Sequence, residues 1–377
     1  MNCQVNKKCG SCQYIEMKYD KQLQLKYEEY KDIYKDFHVK IYPIQGMKNP
    51  YGYRNKVIVA FNKKYEYGLY EENSHRIVPI QKCLLHDQET HDVLNRLQLL
   101  FKKNRISIYD SKRKRGLLKH VLIRRAVSTN QTLVVLVVNE PMFKGSKRFC
   151  QELTNKCPTV KSVVLNINSR QTSVVLSKNE KVLYGKGFIV DELCGLTFKI
   201  SAQSFYQINH SQCEKLYQKV IDLLDVKKED TILDTYCGIG TIGMVVSKYV
   251  DHVIGVELNK EAYKDALNNG KMNRIENIKF YNDDATEFMK KQVALNQKVD
   301  GVIMDPPRAG STKEFIHAIQ VLNPRYVIYV SCDPHTQVND LKEFQKIGYS
   351  FKDVYLYDMF PHTQHVESIV LLSNVEK

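Results

Sequence analysis

The stretch "LDTYCGIGTIG", residues 233–243, decides how the second half of this 377-residue chain is interpreted. An apolar run passes into a turn that contains Gly238 and Gly240, and a second apolar run follows. Glycines in such a turn let the backbone approach a ligand at the N-terminus of the next helix. The spacing differs from G-x-G-x-x-G, so a dinucleotide cofactor for hydride transfer is disfavoured.

From about residue 201 onward, apolar runs that end on polar or Gly residues alternate with helical stretches such as 259–272 and 312–322. The runs are "DTILDTYCGIG" (230–240), "HVIGVEL" (252–258), "IKFYNDDA" (278–285), "DGVIMDPPR" (300–308) and "RYVIYVSCD" (325–333). This alternation predicts a doubly wound, mostly parallel sheet that binds ligands beyond the carboxyl ends of its strands. "VYLYDMF" and "ESIVLLS" lack a crossover helix and predict a closing antiparallel pair, which makes the sheet seven-stranded.

Acidic residues end the strands that follow the glycine turn. Glu257 is placed to accept both hydroxyls of a ribose, and Asp284 or Asp283 to lie near an adenine edge. This order is typical of S-adenosylmethionine methyltransferases, and it predicts a class I, Rossmann-like fold of that kind. The next strand ends in "MDPPR", whose prolines hold Asp305 toward cofactor and substrate. Arg308 replaces the aromatic residue found in related amine methyltransferases, which argues against methylation of an amine and leaves methylation of a carbon open.

Methylation at C5 of uracil needs a thiolate that attacks C6 and a base that later removes the C5 proton. "YVSCDP" (329–334) places Cys332 at the end of the fifth strand. "FPHTQHVES" (360–368) places Glu367 at the start of the last strand, with His362 and His365 nearby. Alone, Cys332 would be interpreted as a packing residue and Glu367 as a solvated charge. Their joint placement at one sheet edge favours a catalytic pair.

The charge is concentrated in the first half of the chain. The net charge is +14, and residues 101–150 carry 13 basic and 2 acidic residues, including "KRKR" at 112–115 and the pair Arg124 and Arg125. Such a block predicts a polyanionic partner, because each neutralised phosphate releases counterions. A diffuse Lys-rich surface is the alternative. No secretory signal or membrane-length apolar run is present, so a cytoplasmic protein without a membrane partner is expected.

Residues 1–200 are predicted to form an N-terminal α+β region with an antiparallel sheet, and residues 201–377 the methyltransferase domain. A helix at 14–36, which we expect to pack on the second domain, is indicated by Leu23, Tyr27, Tyr30 and Tyr34. The predicted strands are 56–61, 119–127, 132–138, 162–168 and 172–177. The first cysteines, Cys3, Cys9 and Cys12, together with Cys83, could hold Zn²⁺ or an iron–sulfur cluster.

Taken together, these motifs resemble those of the bacterial RNA uracil-C5 methyltransferases that act on tRNA and 23S rRNA. The matching stretches are "SFYQIN" (204–209), "DTYCGIG" (234–240), "MDPPRAG" (304–310), "YVSCDP" (329–334) and "DMFPHTQHVES" (358–368). The resemblance implies that Cys332 is the nucleophile and Glu367 the general base. It also implies cofactor contacts, which fall on Gln207, Tyr236, Glu257 and Asp305, with Thr241 and Asp284 as further candidates.

The rRNA enzymes of that family carry a [4Fe–4S] cluster on such a four-cysteine set, which implies one on Cys3, Cys9, Cys12 and Cys83. Many relatives begin with a β-barrel RNA-binding domain, whereas this chain begins two residues before its first cysteine. The expected protein is therefore a compact, monomeric, iron–sulfur enzyme for 23S rRNA that flips its target uridine out of the stack. A tRNA enzyme, a methyltransferase for another RNA base and a non-catalytic RNA-binding iron–sulfur protein are the alternatives.

Overall fold

A computed structural model describes residues 3–71, 74 and 76–374 of the chain. These residues form ten α-helices: α1 (Asn6–Cys9), α2 (Tyr19–Ile33), α3 (Gln88–Lys103), α4 (Ser146–Lys156), α5 (His210–Leu223), α6 (Thr241–Val246), α7 (Lys260–Met272), α8 (Ala285–Ala294), α9 (Lys313–Leu322) and α10 (Pro334–Lys346). A 3₁₀ turn, Lys35–Phe37, follows α2. Within the described part of the chain, no helix is both long and apolar enough to span a bilayer.

The strands of the first half are β1 (Lys40–Ile41), β2 (Lys56–Phe61), β3 (Tyr67–Tyr70), β4 (Ile77–Pro79), β5 (Leu118–Ala126), β6 (Gln131–Val138), β7 (Val160–Ile167), β8 (Glu180–Tyr184), β9 (Phe188–Leu193) and β10 (Leu196–Ser201). Those of the second half are β11 (Thr231–Thr235), β12 (His252–Val256), β13 (Ile278–Tyr281), β14 (Gly301–Met304), β15 (Tyr326–Ser331), β16 (Tyr349–Ser350), β17 (Asp353–Tyr357) and β18 (Glu367–Asn374).

The larger sheet has the order β1-β17-β18-β15-β14-β11-β12-β13, with β16 paired to β18. Strands β11 to β15 are parallel, and β18 runs antiparallel to both β15 and β17. The predicted Rossmann-like sheet with a closing antiparallel pair is therefore confirmed. It has nine strands rather than seven, because two short strands complete its edge. β1 comes from the first half of the chain and satisfies backbone groups of β17 that would otherwise be exposed.

Four helices of this domain follow strands of the sheet and begin at residues whose side chains accept backbone N–H groups. The capping residues are Asn259 for α7, Asp284 for α8, Thr312 for α9 and Asp333 for α10. Cys332 therefore lies in the one-residue gap between β15 and the cap of α10. This arrangement holds the thiol at the carboxyl edge of the sheet, where ligands of such folds bind.

The second large sheet has the order β4-β3-β2-β5-β6-β7-β8. The predicted antiparallel sheet is confirmed for five of its six strand pairs, and the exception is β6 with β7, which are parallel. Helix α4 connects them, and a crossover of this kind returns the chain in the same direction. The predicted strand at 172–177 is also absent: the side-chain amides of Asn166 and Asn168 bind the carbonyl groups of Ser177, Val174 and Val175 in place of a strand ladder.

Helix α2 is shorter than the predicted 14–36 segment, and its buried face packs on the methyltransferase sheet. Tyr30 and Tyr34 belong to the same apolar core as residues of β14, β15 and β18. The two sheets also share a core, in which Leu133 of β6 lies with Phe198 of β10 and Ile232 of β11. The N-terminal half is thus joined to the second half by continuous packing.

Candidate active site

The glycine turn after β11 requires backbone conformations that most residues avoid. Tyr236, Gly238 and Gly240 have φ values of 62°, 58° and 82°. Glu257, which follows β12, lies against this turn and accepts from the backbone N–H of Gly238 at 2.9 Å and of Asn259 at 2.6 Å. Both oxygens of the Glu257 carboxylate are thereby fixed in place at the edge of the sheet.

One pocket contains most of the residues predicted to bind the cofactor. Gln207, Tyr236, Thr241 and Asp305 all line it. Glu257 adjoins it through the N–H of Gly238, which is itself a lining residue. Asp284 does not line this pocket; its carboxylate caps α8, accepting from the N–H of Thr286 at 2.9 Å.

Two further residues of this pocket were not singled out in the sequence. Asp234, at the end of β11, accepts from the N–H of Gly243 at 2.7 Å, and burial raises its pKa to about 7. The position of Asp234 near the end of β11, just before the glycine turn, is a sequence signal that could have identified it as a pocket residue. Tyr217, on α5, lies 2.7 Å from Thr241 through their hydroxyl oxygens. No local signal marks Tyr217, because only the packing of α5 brings it to the pocket.

Cys332 and Glu367 meet through the pairing of β15 with β18. Ser331 and Ser368 are cross-strand partners, and the Ser368 hydroxyl donates to the Ser331 carbonyl at 3.2 Å. Since the strands are antiparallel, the residue after Ser331 lies beside the residue before Ser368. Cys332 and Glu367, 35 positions apart, are thus neighbours, and Asp305 at the end of the adjacent β14 completes the group.

The three ionisable groups at this site, Glu367, Asp305 and Cys332, all have pKa values above those of the same groups in water. Burial, and then the neighbouring Asp305, raise the pKa of Glu367 well above its ordinary value. Burial raises the pKa of Asp305 to about 7. The Cys332 thiol has its pKa raised to about 11 by burial and by the carboxyl groups of Glu367 and Asp305, an effect that Arg308 opposes.

Arg308 has a role in this geometry that its motif did not reveal. Its positive charge lowers the pKa of the Cys332 thiol, against the larger effect of burial, and its guanidinium lies 3.4 Å from Nε2 of His365. Burial first, then Arg308, lowers the pKa of His365. His362 is buried, with Nδ1 3.1 Å from the side-chain amide nitrogen of Gln22.

The four cysteines proposed as ligands line a single pocket, together with Arg54. Burial, followed by the neighbouring Cys83 and Cys9 thiols, raises the pKa of Cys12 to about 12. Across residues 3–71, 74 and 76–374, however, no three His, Cys, Asp or Glu side chains are arranged as a set of metal ligands. The prediction of a [4Fe–4S] cluster on Cys3, Cys9, Cys12 and Cys83 is therefore not confirmed.

The basic block divides into an exposed and a buried part. Residues 112–115 form an exposed turn. Arg124 is buried and donates to the carbonyl of Ser204, and Arg125 is buried and pairs with Asp87 at 2.9 Å. The interpretation of the arginine pair as part of a polyanion surface is thus wrong, because their guanidinium groups stabilise the fold instead.

Residues 18–375 match the family described as tRNA (Uracil-5-)-methyltransferase. The chain belongs to this family. Among similar proteins, an uncharacterized RNA methyltransferase of Bacillus cereus is 35% identical, with 100% of this chain and 83% of that protein covered. One of Oceanobacillus iheyensis is 37% identical, with 97% and 81% covered. The tRNA (uracil-54, C5)-methyltransferase of Pyrococcus abyssi, in complex with S-adenosyl-L-homocysteine, gives a TM-score of 0.82 at 26% identity, over 97% of this chain and 86% of that one.

The family assignment confirms the predicted resemblance and the prediction of an RNA uracil-C5 methyltransferase enzyme. S-adenosylmethionine as methyl donor is supported by the demethylated cofactor bound to the Pyrococcus abyssi enzyme.

Proposed function

We propose that this protein methylates C5 of a uridine in 23S rRNA through a covalent bond between Cys332 and C6 of the base. The observation that carries the proposal is the antiparallel pairing of Ser331 with Ser368, which sets Cys332 beside Glu367 next to Asp305. A thiol and a buried carboxyl group at one strand edge are the two groups that this chemistry needs.

Each of these residues has a defined task. Cys332 Sγ forms a bond to C6, and the electrons of the C5–C6 double bond make C5 nucleophilic. Arg308, whose positive charge lowers the pKa of this thiol, favours the thiolate that attacks. S-adenosylmethionine, when bound, supplies the methyl group. Glu367 then takes the C5 proton, the double bond re-forms, and the C6–Sγ bond breaks to release the thiolate.

The raised pKa of Glu367 suits this role. A carboxylate with an ordinary pKa is a weak base, whereas burial makes the ionised Glu367 a stronger proton acceptor. The same burial keeps Glu367 protonated up to a higher pH than an exposed glutamic acid. Catalysis by Glu367 should therefore increase as the pH rises through its folded-state pKa.

Within the proposal, Gln207, Tyr236, Glu257 and Asp305 hold the methyl donor. Gln207, Tyr236 and Asp305 line one pocket, and the Glu257 carboxylate is fixed beside it by backbone N–H groups. Binding of S-adenosylhomocysteine measured by calorimetry should weaken in Glu257→Gln and remain unchanged in Glu152→Gln, whose carboxylate pairs with Lys103 and Arg148 on α3 and α4. Equal affinity in both variants would remove Glu257 from the cofactor site.

We assign 23S rRNA rather than tRNA because the chain resembles the rRNA enzymes of the family, which carry an iron–sulfur cluster on four cysteines. Four thiols line one pocket of this protein, and thiolates are the ligands of such clusters. Cys3, Cys9, Cys12 and Cys83 would hold the [4Fe–4S] cluster, beside Arg54. The Pyrococcus abyssi relative acts on tRNA, which keeps tRNA as the second candidate. Iron and sulfide analysis with visible absorption of anaerobically purified protein, compared with Cys12→Ser, tests the cluster independently of activity.

RNA contact is assigned to the 1–200 region, where residues 112–115 form an exposed basic turn. Action as a cytoplasmic monomer remains a prediction from the sequence.

The deciding experiment incubates the enzyme and labelled methyl donor with 23S rRNA and with tRNA transcripts, each carrying uridine or 5-fluorouridine. Wild type should label 23S rRNA and form a denaturation-resistant adduct with its fluorinated form. Cys332→Ala should do neither. Methylation or adduct formation by Cys332→Ala would contradict the covalent mechanism. Labelling of tRNA but not of 23S rRNA would show that tRNA is the substrate.

A further inference from the structure

The chain between β17 and β18, residues 358–366, leads directly into Glu367; we call it the base loop. It has no regular secondary structure, and its His362 is buried with φ of 68°. A non-glycine residue stays in this left-handed region only when its surroundings impose it. The groups that impose the conformation of this loop come largely from the N-terminal helix α2.

Lys26 of α2 ties both ends of the base loop together. Its ammonium, fully buried, donates to the Asp358 carboxylate at 2.7 Å. It also lies 3.4 Å from each of the carbonyl oxygens of Phe360 and His365. A buried ammonium needs several such partners, so the loop and the helix can pack only in this mutual arrangement.

Tyr30 holds the last peptide group before Glu367. Its hydroxyl donates to the carbonyl of Val366 at 2.9 Å, and its side chain is 2% exposed. At Tyr34, the C-terminal capping residue of α2, the hydroxyl donates to the side-chain carbonyl of Gln337. That same oxygen accepts from the hydroxyl of Ser368, the residue after Glu367, at 2.6 Å. The backbone on both sides of Glu367 is thus fixed from one helix.

We propose that Tyr30 and Lys26 are positioning residues for the final, base-dependent step of the reaction. The inference rests on the proposed function, in which Glu367 removes the C5 proton as the C6–Sγ bond breaks. Tyr30 and Lys26 touch neither substrate nor cofactor; they fix the backbone from which Glu367 projects. Because proton transfer depends steeply on the position of the base, a relaxed base loop slows adduct release while leaving earlier steps intact.

Tyr30→Phe is the sharpest perturbation, because it deletes one hydroxyl. Tyr27→Phe is the matched control: Tyr27 lies on the same helix, and its hydroxyl donates to the carbonyl of Ile41 in β1 at 3.0 Å, away from the base loop. Single-turnover reactions with end-labelled RNA, quenched into denaturing gels, separate methyl transfer from the lifetime of the protein–RNA adduct.

We expect Tyr30→Phe to transfer the methyl group at the wild-type rate and to lengthen the adduct lifetime about fivefold to tenfold, the effect of one lost hydrogen bond. Tyr27→Phe should match wild type in both quantities. Adduct release at the wild-type rate in Tyr30→Phe would overturn the inference. So would an equal delay in Tyr27→Phe, which would indicate a general loss of stability.

A second variant combines Lys26→Met with Asp358→Asn, so that no unpaired charge stays buried. It should bind S-adenosylhomocysteine like wild type and lengthen the adduct lifetime at least as much as Tyr30→Phe. A parallel fall in methyl transfer and adduct release would show a purely structural role and contradict the proposal. Failure of the proposed function is distinguishable, because wild type would then form no adduct and transfer no methyl group.

Discussion

The buried ion pair between Lys26 and Asp358 allows a quantitative prediction of stability. Both side chains have 0% exposure, and the ammonium lies 2.7 Å from the carboxylate. Lys26→Met removes the cation but leaves the carboxylate in the core, where, among the residues that the structure describes, only the Tyr19 hydroxyl still donates to its side chain, at 2.6 Å. Breaking a buried pair in this way costs about 3–5 kcal/mol, because the remaining charge is uncompensated.

The double variant Lys26→Met with Asp358→Asn should recover much of that loss, since it buries no net charge. We therefore expect a coupling energy of about 2–4 kcal/mol from a double-mutant cycle of urea unfolding followed by circular dichroism. Lys31→Met is the control: Lys31 pairs with Glu28 on the exposed side of the same helix, at 48% and 55% exposure, and should change stability by less than about 0.5 kcal/mol. A loss below about 1 kcal/mol in Lys26→Met would refute the reasoning.

Three further outcomes are expected. Arg308→Gln should lower kcat/KM at pH 7.5 about tenfold and move the rise of the pH–rate profile to higher pH, because the cation that lowers the pKa of Cys332 is lost; an unchanged profile would contradict this. Asp234→Asn should raise the melting temperature at pH 8 but not at pH 4. The folded-state pKa of about 7 exceeds the unfolded value, so the native protein loses stability as the pH rises between them. Neutralising residues 112–115 should make the slope of log K for RNA binding against log salt concentration less steep, by up to about 0.7 for each phosphate contact that is lost. Arg125→Gln should instead lower the stability of the fold, because Arg125 pairs with Asp87.

Patterns within short stretches predicted the main framework. The alternation of apolar runs and helices after residue 201 gave a parallel sheet, because strand and helix periodicity are local properties. The failures came where a local pattern competed with distant partners. Residues 172–177 have the composition of a strand, yet the amides of Asn166 and Asn168 bind their backbone. Arg124 and Arg125 of β5 have the sequence pattern of surface cations, but Arg125 is buried and pairs with Asp87, which is 38 positions away.

The sequence by itself determined the class of sheet, the glycine turn and the identity of Cys332 and Glu367 as candidates, since strand and helix periodicity and the motifs that end the strands can be recognised without knowing the tertiary contacts. Only the tertiary structure decided that Arg308 lies against the thiol and that α2 holds the base loop. The physical reason is sequence distance: Lys26 and Asp358 are 332 positions apart, and no periodicity relates them. Their contact exists because a buried ammonium must find an anion and carbonyl oxygens, and the packing of α2 on β18 provides both.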